Sequence, residues 1–193
     1  MKCIDWKEND LGFTTCCQGG QINFYDLYNY QNQNPGGRNM EKDQGDKTVK
    51  FSCVRNIPGK HYDVLAVGMH QDNKRGYYHT GDGFISNDGI KVNLSQIVIT
   101  PTAKSVIGGV GEQDRPGSLQ IFLRPENKDL EKINEVQAHS KAVEKLKLSS
   151  DTLNLFSVGQ DGMLCIFDVR DRDPRAAKKA QPALAFSEEI LTQ

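Results

Sequence analysis

The same arrangement of short apolar strands and glycine-containing turns occurs four times along this chain of 193 residues. It is clearest at residues 155–169, where two apolar strands flank the dipeptide Asp161-Gly162. This dipeptide favours a tight hairpin, because glycine adopts positive φ without a steric cost. Residues 12–27 have the same layout, and the first strands of the four units start at intervals of about 47 residues, near Lys2, Val49, Gln96 and Val143. A strand repeat of this length strongly limits the folds that the chain can adopt.

Repeats of this kind predict an all-β fold, and specifically a β-propeller. A four-stranded antiparallel sheet cannot bury its apolar faces alone and must stack against its neighbours. We therefore expect about four antiparallel four-stranded blades in residues 1–170, followed in residues 171–193 by an exit linker and then a closing outer strand or the first turns of a helix. Because four blades fall short of a typical propeller, we expect part of a larger one. The alternative is a small independent domain that pairs with a copy of itself.

The last unit carries a set of polar residues in a characteristic order. His139 precedes the first strand, Ser157 lies on the second, Asp161 lies in the hairpin turn, and Phe167-Asp168 ends the third strand. This order resembles the WD40 repeat, with Ala138 in place of the usual glycine. The resemblance implies a WD40-type propeller with a buried hydrogen-bond network, in which Asp161 fixes His139 and Ser157 bridges onward. Because phenylalanine lacks the N–H of the family's tryptophan, we expect a partial network.

Five stretches resemble a narrower family, the WD-repeat proteins of motile axonemes, and in particular their C-terminal propeller. They are residues 3–6, 19–27, 137–140, 159–162 and 186–191. The resemblance implies a longer protein with two propellers and a coiled coil. It also implies a scaffold in the cytoplasm and in the axoneme of cilia and flagella, which helps to dock inner dynein arms and regulatory complexes on doublet microtubules. The alternative is a generic intracellular WD-repeat interaction module outside cilia.

We expect no catalytic, cofactor-binding or metal-ligating set, and therefore predict that the chain is not an enzyme. The alternative, a hydrolase built on a propeller, needs a convergent group of carboxylates or metal ligands. Residues 108–117 are rich in glycine but lack the Gly-Lys-Ser/Thr ending of a phosphate loop, so they predict a wide hairpin turn. The four histidines do not share a spacing typical of metal ligands: His61, His70, His79 and His139.

Composition and charge give no reason to expect nucleic acid or a membrane as a partner. The formal net charge is -1, and no segment approaches the roughly 20 apolar residues of a membrane-spanning helix. The cysteines are odd in number and include no Cys-x-x-Cys pair: Cys3, Cys16, Cys17, Cys53 and Cys165. We expect all five to lie in strands as buried, reduced thiols and not in disulfides or metal sites, which favours an intracellular protein.

A long insertion, residues 28–47, separates the first and second units. Its first part is rich in Asn, Gln and Gly, and its second part is charged. Since little apolar surface is available to offset the entropy of ordering, we expect this insertion to be mobile. Two roles remain open at this point, a loop that binds a partner and a solvated spacer.

Overall fold

The computed structural model describes residues 1–7, 12–26, 44–45, 47–60, 63–72, 74–80, 82–86, 90–112, 115–124 and 130–170. Within these ranges the chain forms four antiparallel sheets. It contains no helix there that is long and apolar enough to cross a membrane.

The four sheets follow one another along the chain, and we call them blades 1 to 4. Blade 1 contains β1 (Cys3–Trp6), β2 (Gly12–Cys16), β3 (Gln21–Asp26) and β4 (Gln44–Gly45). Blade 2 contains β5 (Val49–Asn56), β6 (Val64–His70), β7 (Arg75–His79) and β8 (Gly83–Ser86). Blade 3 contains β9 (Leu94–Ile99), β10 (Ser105–Val110), β11 (Ser118–Leu123) and β12 (Glu131–Gln137). Blade 4 contains β13 (Val143–Leu148), β14 (Asn154–Gly159) and β15 (Leu164–Asp168).

Successive blades contact one another mainly through their first strands. Strand β1 lies against β5, β5 against β9, and β9 against β13. Within each blade the strands pair in chain order, so every sheet is a meander with its first strand at one edge. This stacking of antiparallel sheets around their first strands is the blade arrangement of a propeller. It confirms the predicted all-β propeller fold.

Two predicted segments lie largely or wholly outside the described residues. The exit linker, followed by a closing strand or the first turns of a helix, is predicted in residues 171–193, none of which is described. Blade 4 therefore has three strands in the part of the chain that the structure describes, with β15 paired to β14. Of the insertion at residues 28–47, the structure describes residues 44–45, which form β4 and pair with β3, and residue 47. The predicted boundary after residue 170 remains a prediction.

The apolar core lies between the blades, because alternate residues of a strand point to opposite faces of the sheet. One buried cluster joins blades 1, 2 and 3, and includes Ile22, Phe51, Val54, Ile97 and Phe122. A second cluster joins blades 3 and 4, and consists of Val98, Ile107, Leu119, Val143, Leu146, Leu155 and Val169. Fully burying one such side chain contributes about 1.5–3 kcal/mol. Burial between blades is therefore the main source of stability in this fold.

Two serines make the same hydrogen bonds at successive blade junctions. The hydroxyl of Ser52 on β5 donates to the carbonyl of Leu94 at 2.6 Å, across the junction of blades 2 and 3. The hydroxyl of Ser95 on β9 donates to the carbonyl of Val143 at 2.6 Å, across the junction of blades 3 and 4. Close contact at the second junction also requires Gly109, because a Cβ there would lie 2.6 Å from Cγ1 of Val143. The repeat in the sequence thus corresponds to a repeated contact in space.

Candidate functional site

Three of the predicted network residues meet at one end of blade 4. Nε2 of His139 lies 2.8 Å from Oγ of Ser157, and Nδ1 lies 3.1 Å from Oδ1 of Asp161. The carboxylate of Asp161 also accepts hydrogen bonds from the backbone N–H groups of Ser140 at 2.9 Å and Met163 at 3.1 Å. Asp161 therefore ties the hairpin turn after β14 to the loop that precedes β13.

These backbone donors set the electrostatics of the turn. The N–H of Ser140 has the largest effect in lowering the pKa of Asp161 below its ordinary value, and the N–H of Met163 and the imidazole of His139 lower it further. A hydrogen bond to the charged form of a carboxylate favours that form. Asp161 is therefore held as a carboxylate, which is the form that can accept all these bonds.

His139 lies between a serine hydroxyl and an aspartate carboxylate, as the histidine of a Ser-His-Asp hydrolase triad does. The burial of these side chains excludes the hydrolase reaction. The side chain of His139 is 0% exposed and Ser157 is 0% exposed. A nucleophilic serine needs its Oγ open to a carbonyl carbon of the substrate. Because Ser157 lies inside the blade, the triad serves the fold by satisfying buried polar groups.

Two glycines that the sequence analysis did not assign make room for His139. A Cβ on Gly159 would lie 2.6 Å from Cγ of His139, so the imidazole packs directly on the backbone of β14. Gly117 has φ of 86°, and its carbonyl accepts the N–H of His139 at 3.0 Å. Gly159 follows Ser157 by two residues, so strand alternation puts both on the face that carries the imidazole. The two-residue spacing from Ser157 is the sequence feature that could have identified Gly159.

Phe167 and Asp168 lie apart from the triad, at the far end of β15. Phe167 pairs with Leu155, whereas Ser157 pairs with Cys165. The ring of Phe167 packs on the apolar cluster between blades 3 and 4. Asp168 is exposed and lies 3.5 Å from Nε of Arg170. The five predicted residues therefore divide into a hydrogen-bonded triad and two residues with other surroundings.

An apolar groove of about 340 Å³ lies between blades 3 and 4, beside Phe167. Its lining includes Ile121, Ile133, Val136, Leu155, Phe167 and Arg170. Ile133 and Val136 belong to β12 and are exposed. A groove lined in this way suits an apolar side chain.

Both end faces of the blade stack carry apolar side chains. In β14, Leu155 and Ser157 are buried toward blade 3, so Phe156 and Val158 point the opposite way. They pair with exposed residues of β15, which completes an outer face of blade 4 formed by Phe156, Val158, Leu164 and Ile166. The outer face of blade 1 is formed by Ile4, Trp6, Phe13 and Tyr25, of which the three aromatic rings contact in series. We call these two surfaces the end faces.

A buried polar cluster joins the inner strands of blades 1, 2 and 3. Sγ of Cys3 lies 3.4 Å from Sγ of Cys53. Arg55 donates from Nη1 to Sγ of Cys3 at 3.1 Å and from Nη2 to Oε1 of Gln96 at 3.3 Å. Arg55 also lies 3.7 Å from Asp5. Cys3 and Asp5, like Cys53 and Arg55, are two residues apart, so each pair shares one face of its strand.

The surroundings of the cysteines shift the pKa values of their thiols in opposite directions. The hydrogen bond from Cys53 has the largest effect in lowering the pKa of Cys3 to about 5, and the charge of Arg55 acts in the same direction. The same hydrogen bond, together with burial, raises the pKa of Cys53. Burial raises the pKa of Cys16 to about 12. Of these thiols, Cys3 is the one whose surroundings favour the charged form.

The prediction that all five cysteines are buried in strands is wrong for two of them. Cys17 follows the end of β2, and both Cys17 and Cys165 are partly exposed. Cys165 lies on β15, the last strand that the structure describes, where even the residues that face blade 3 are only partly buried. Cys17 begins the turn between β2 and β3, where its N–H bonds the carbonyl of Gln21.

One histidine lies among charged groups at the junction of blades 2 and 3. Nδ1 of His79 lies 2.7 Å from Oδ2 of Asp82, and Nε2 lies 3.0 Å from Oδ1 of Asp63. Nη2 of Arg124 is 3.2 Å from the same Nε2. Over the described ranges no group of three or more His, Cys, Asp or Glu residues is arranged to hold a metal ion. His61 lies outside those ranges.

No protein-family model matches the chain. The chain is 26% identical over 196 residues to cilia- and flagella-associated protein 57 C of Tetrahymena thermophila, which covers 99% of this chain and 15% of that protein. It is 39% identical over 147 residues to mouse (Mus musculus) cilia- and flagella-associated protein 57, which covers 75% of this chain and 11% of that protein. The chain thus spans a small part of these relatives' length.

Solved structures with low sequence identity share the fold. The β-propeller domain of Cps50 (Swd1) from Myceliophteria thermophila matches with a TM-score of 0.66 and 16% identity, over 90% of this chain and 54% of that chain. A chain of the mitotic checkpoint complex matches with a TM-score of 0.60 and 16% identity, over 88% of this chain and 50% of that chain. The chain is therefore a stack of WD40-type β-propeller blades whose sequence is similar to that of cilia- and flagella-associated protein 57.

Proposed function

We propose that the chain is part of a non-enzymatic scaffold that binds other proteins in the axoneme of cilia and flagella. The observation that carries this proposal is the similarity to the cilia- and flagella-associated protein 57 C of Tetrahymena, which extends over 99% of the chain. The fold supports it, because propeller blades present rigid faces and connecting loops to partners. The burial of Ser157 and His139 supports a structural role for the triad that resembles a hydrolase site.

The end faces support a further part of the proposal, that these blades supply about half of a larger propeller. Matching propellers of known structure are roughly twice as long as the aligned region. Leu164 and Ile166 are well exposed on one end face, and Ile4 and Trp6 on the other. Burying a side chain of this size contributes about 1.5–3 kcal/mol. The apolar face of a further blade is the partner that these surfaces fit.

Within this scaffold role, we propose that the chain helps to dock inner dynein arms and neighbouring regulatory complexes on doublet microtubules. Its protein partners lie in the axoneme, and a pool of the protein lies in the cytoplasm. Similarity to the ciliary relatives supports this role. The apolar groove between blades 3 and 4 supports a protein ligand, because it combines aliphatic walls with the charged rim residues Asp168 and Arg170. The alternative is a generic WD-repeat interaction module outside cilia, which the same fold would serve.

The test is localisation of the tagged protein in a ciliated cell, followed by detergent extraction of isolated cilia. We expect the protein to remain with the demembranated axoneme and to leave it at high salt. An unrelated tagged propeller of equal length, expressed at the same level, is the control and should be extracted by detergent. Crosslinking in the axoneme then identifies the neighbours, and inner dynein arm subunits are expected among them. A diffuse cytoplasmic protein, absent from axonemes, would favour the generic module.

A further inference from the structure

We propose that Cys3 and Cys53 are a peroxide-reactive thiol pair, and that their oxidation forms a disulfide between blades 1 and 2. This inference is independent of the axonemal role, because it rests on the buried cluster at the inner strands. The two residues belong to β1 and β5, which lie against each other. They are 50 positions apart, so the bond would link two sheets and not two neighbours in one hairpin.

The geometry brings the two sulfurs within reach of each other. Their Sγ atoms are 3.4 Å apart, and a disulfide bond is about 2.0 Å long. Bond formation must bring the two sulfurs from 3.4 Å to about 2.0 Å. Cys16 is the other cysteine near Cys3, because it is its cross-strand neighbour in blade 1. The contact that selects the partner is the 3.4 Å approach of the Cys53 sulfur to the Cys3 sulfur.

Cys3 has the properties of the attacking thiol. Cys3 is 9% exposed, whereas Cys53 is completely buried, so Cys3 is the more accessible residue of the pair. The guanidinium of Arg55 donates to its sulfur at 3.1 Å. Together with the hydrogen bond from Cys53, this charge holds Cys3 as a thiolate, which is the nucleophilic form of cysteine. Arg55 itself is held in place by Gln96 and by the carbonyl of Val54.

The oxidant is a hydroperoxide, for which hydrogen peroxide is the probe. The Cys3 thiolate attacks one peroxide oxygen, so an S–O bond forms, the O–O bond breaks, and the departing hydroxide takes a proton to become water. Cys3 is then a sulfenic acid. The sulfur of Cys53 attacks the sulfur of Cys3, an S–S bond forms, and the S–O bond breaks. The proton of Cys53 leaves with the hydroxide as a second water. Two thiols lose two electrons in total, and one peroxide is reduced to two waters.

Tryptic digestion separates the relevant cysteines. Cleavage after Lys2, Lys7, Lys50 and Arg55 puts Cys3 in the peptide of residues 3–7 and Cys53 in the peptide of residues 51–55. Cys16 and Cys17 share the peptide of residues 8–38, and Cys165 lies in that of residues 148–170. The folded protein is treated with hydrogen peroxide, free thiols are blocked under denaturing conditions, and the digest is analysed by mass spectrometry.

The expected product is the 3–7 peptide joined to the 51–55 peptide, in a form that a reducing agent separates. A link from the 3–7 peptide to the 8–38 peptide would assign the bond to Cys16 or Cys17 and overturn the proposal. Oxidation confined to Cys17 and Cys165, the partly exposed thiols, would also overturn it. So would conversion of Cys3 to a sulfinic or sulfonic acid in the wild-type protein without a link to Cys53.

Variants and pH distinguish a thiolate from an ordinary thiol. Cys53→Ala should leave Cys3 oxidisable but without the 3–7/51–55 product, whereas the matched control Cys16→Ala should retain that product. Circular dichroism verifies that both variants remain folded, and the wild-type peptide map decides the proposal if either does not. Between pH 6.5 and pH 7.5 the oxidation rate of Cys3 should change less than about twofold. The oxidation rate of an ordinary cysteine, in contrast, rises about tenfold for each pH unit below the pKa of its thiol. A tenfold rise for Cys3 would overturn its assignment as the attacking thiolate.

Discussion

Nδ1 of His139 lies 3.1 Å from Oδ1 of Asp161, and this contact joins two segments that are 22 residues apart in the chain. One segment is the loop between blades 3 and 4, and the other is the hairpin turn of blade 4 itself. Through Ser157, the same imidazole is also bonded to the middle strand of the blade. The loop that enters the blade, its middle strand and its hairpin turn are therefore connected by side chains as well as by the sheet.

Replacing Asp161 with alanine should destabilise blade 4. The N–H groups of Ser140 and Met163 would lose their acceptor, and His139 would lose its partner at Nδ1. We expect the melting temperature to fall by at least about 3 °C, measured by circular dichroism. Asp168→Ala is the matched control, because Asp168 is exposed and its loss should change the melting temperature little. Equal melting temperatures for wild type and Asp161→Ala would contradict the structural role of the network.

The contribution of the Asp161 charge should disappear in acid. The folded state lowers the pKa of this carboxyl below its ordinary value of 3.8, so the unfolded chain takes up the proton first as the pH falls. The stabilisation is thus complete above about pH 4 and is lost as the pH falls through the lowered value. We expect the difference in melting temperature between wild type and Asp161→Asn to be constant from pH 5 to pH 8 and to shrink below about pH 4. A difference that stays constant down to about pH 2.5 would show that the charge contributes nothing.

A methyl group on Gly159 should displace the imidazole of His139. The added Cβ would lie 2.6 Å from Cγ and Nδ1 of the ring and 2.7 Å from Oδ1 of Asp161. We expect Gly159→Ala to lower the free energy of unfolding by roughly 1–3 kcal/mol, measured by denaturant titration. The matched control is Gly19→Ala, because the nearest atom to a Cβ there is 3.6 Å away, which is an ordinary contact. An unchanged stability for Gly159→Ala would mean that the ring is free to move aside.

The isolated chain should self-associate through its end faces, since an uncovered apolar sheet face is a common site of association. Ile166→Lys should raise the dissociation constant of self-association at least about tenfold, because it removes one aliphatic contact and adds a charge. Leu123→Lys is the matched control, because Leu123 is an exposed aliphatic residue of β11 that belongs neither to an end face nor to the lining of the apolar groove. Sedimentation velocity over a concentration series measures the association. A monomer at all concentrations, with cooperative unfolding, would instead support an independent four-bladed domain.

The residue order of the last repeat points to five network residues, and three of them meet in the structure. His139, Ser157 and Asp161 occur at the loop, strand and turn positions of a WD40 repeat, and the structure places the ring nitrogens of His139 within 3.1 Å of oxygen atoms of the other two. The same analogy assigned Phe167 and Asp168 to the network, but these two lie at the far end of β15. An aromatic ring without an N–H gains more from the apolar cluster beside Leu155 than from a polar neighbourhood.

The sequence by itself determined the strands, the hairpin at Asp161-Gly162 and the fourfold repeat, because these depend on alternation and turn preferences over a few residues. Which residues meet across a blade junction was decided by the tertiary structure. The approach of Cys3 to Cys53 and the hydrogen bond from Ser95 to Val143 each span about 50 residues. Such contacts depend on how one twisted sheet stacks on the next, and local patterns contain no information about that distance. For the same reason, the apolar end faces follow from the stacking of the blades and not from any one strand.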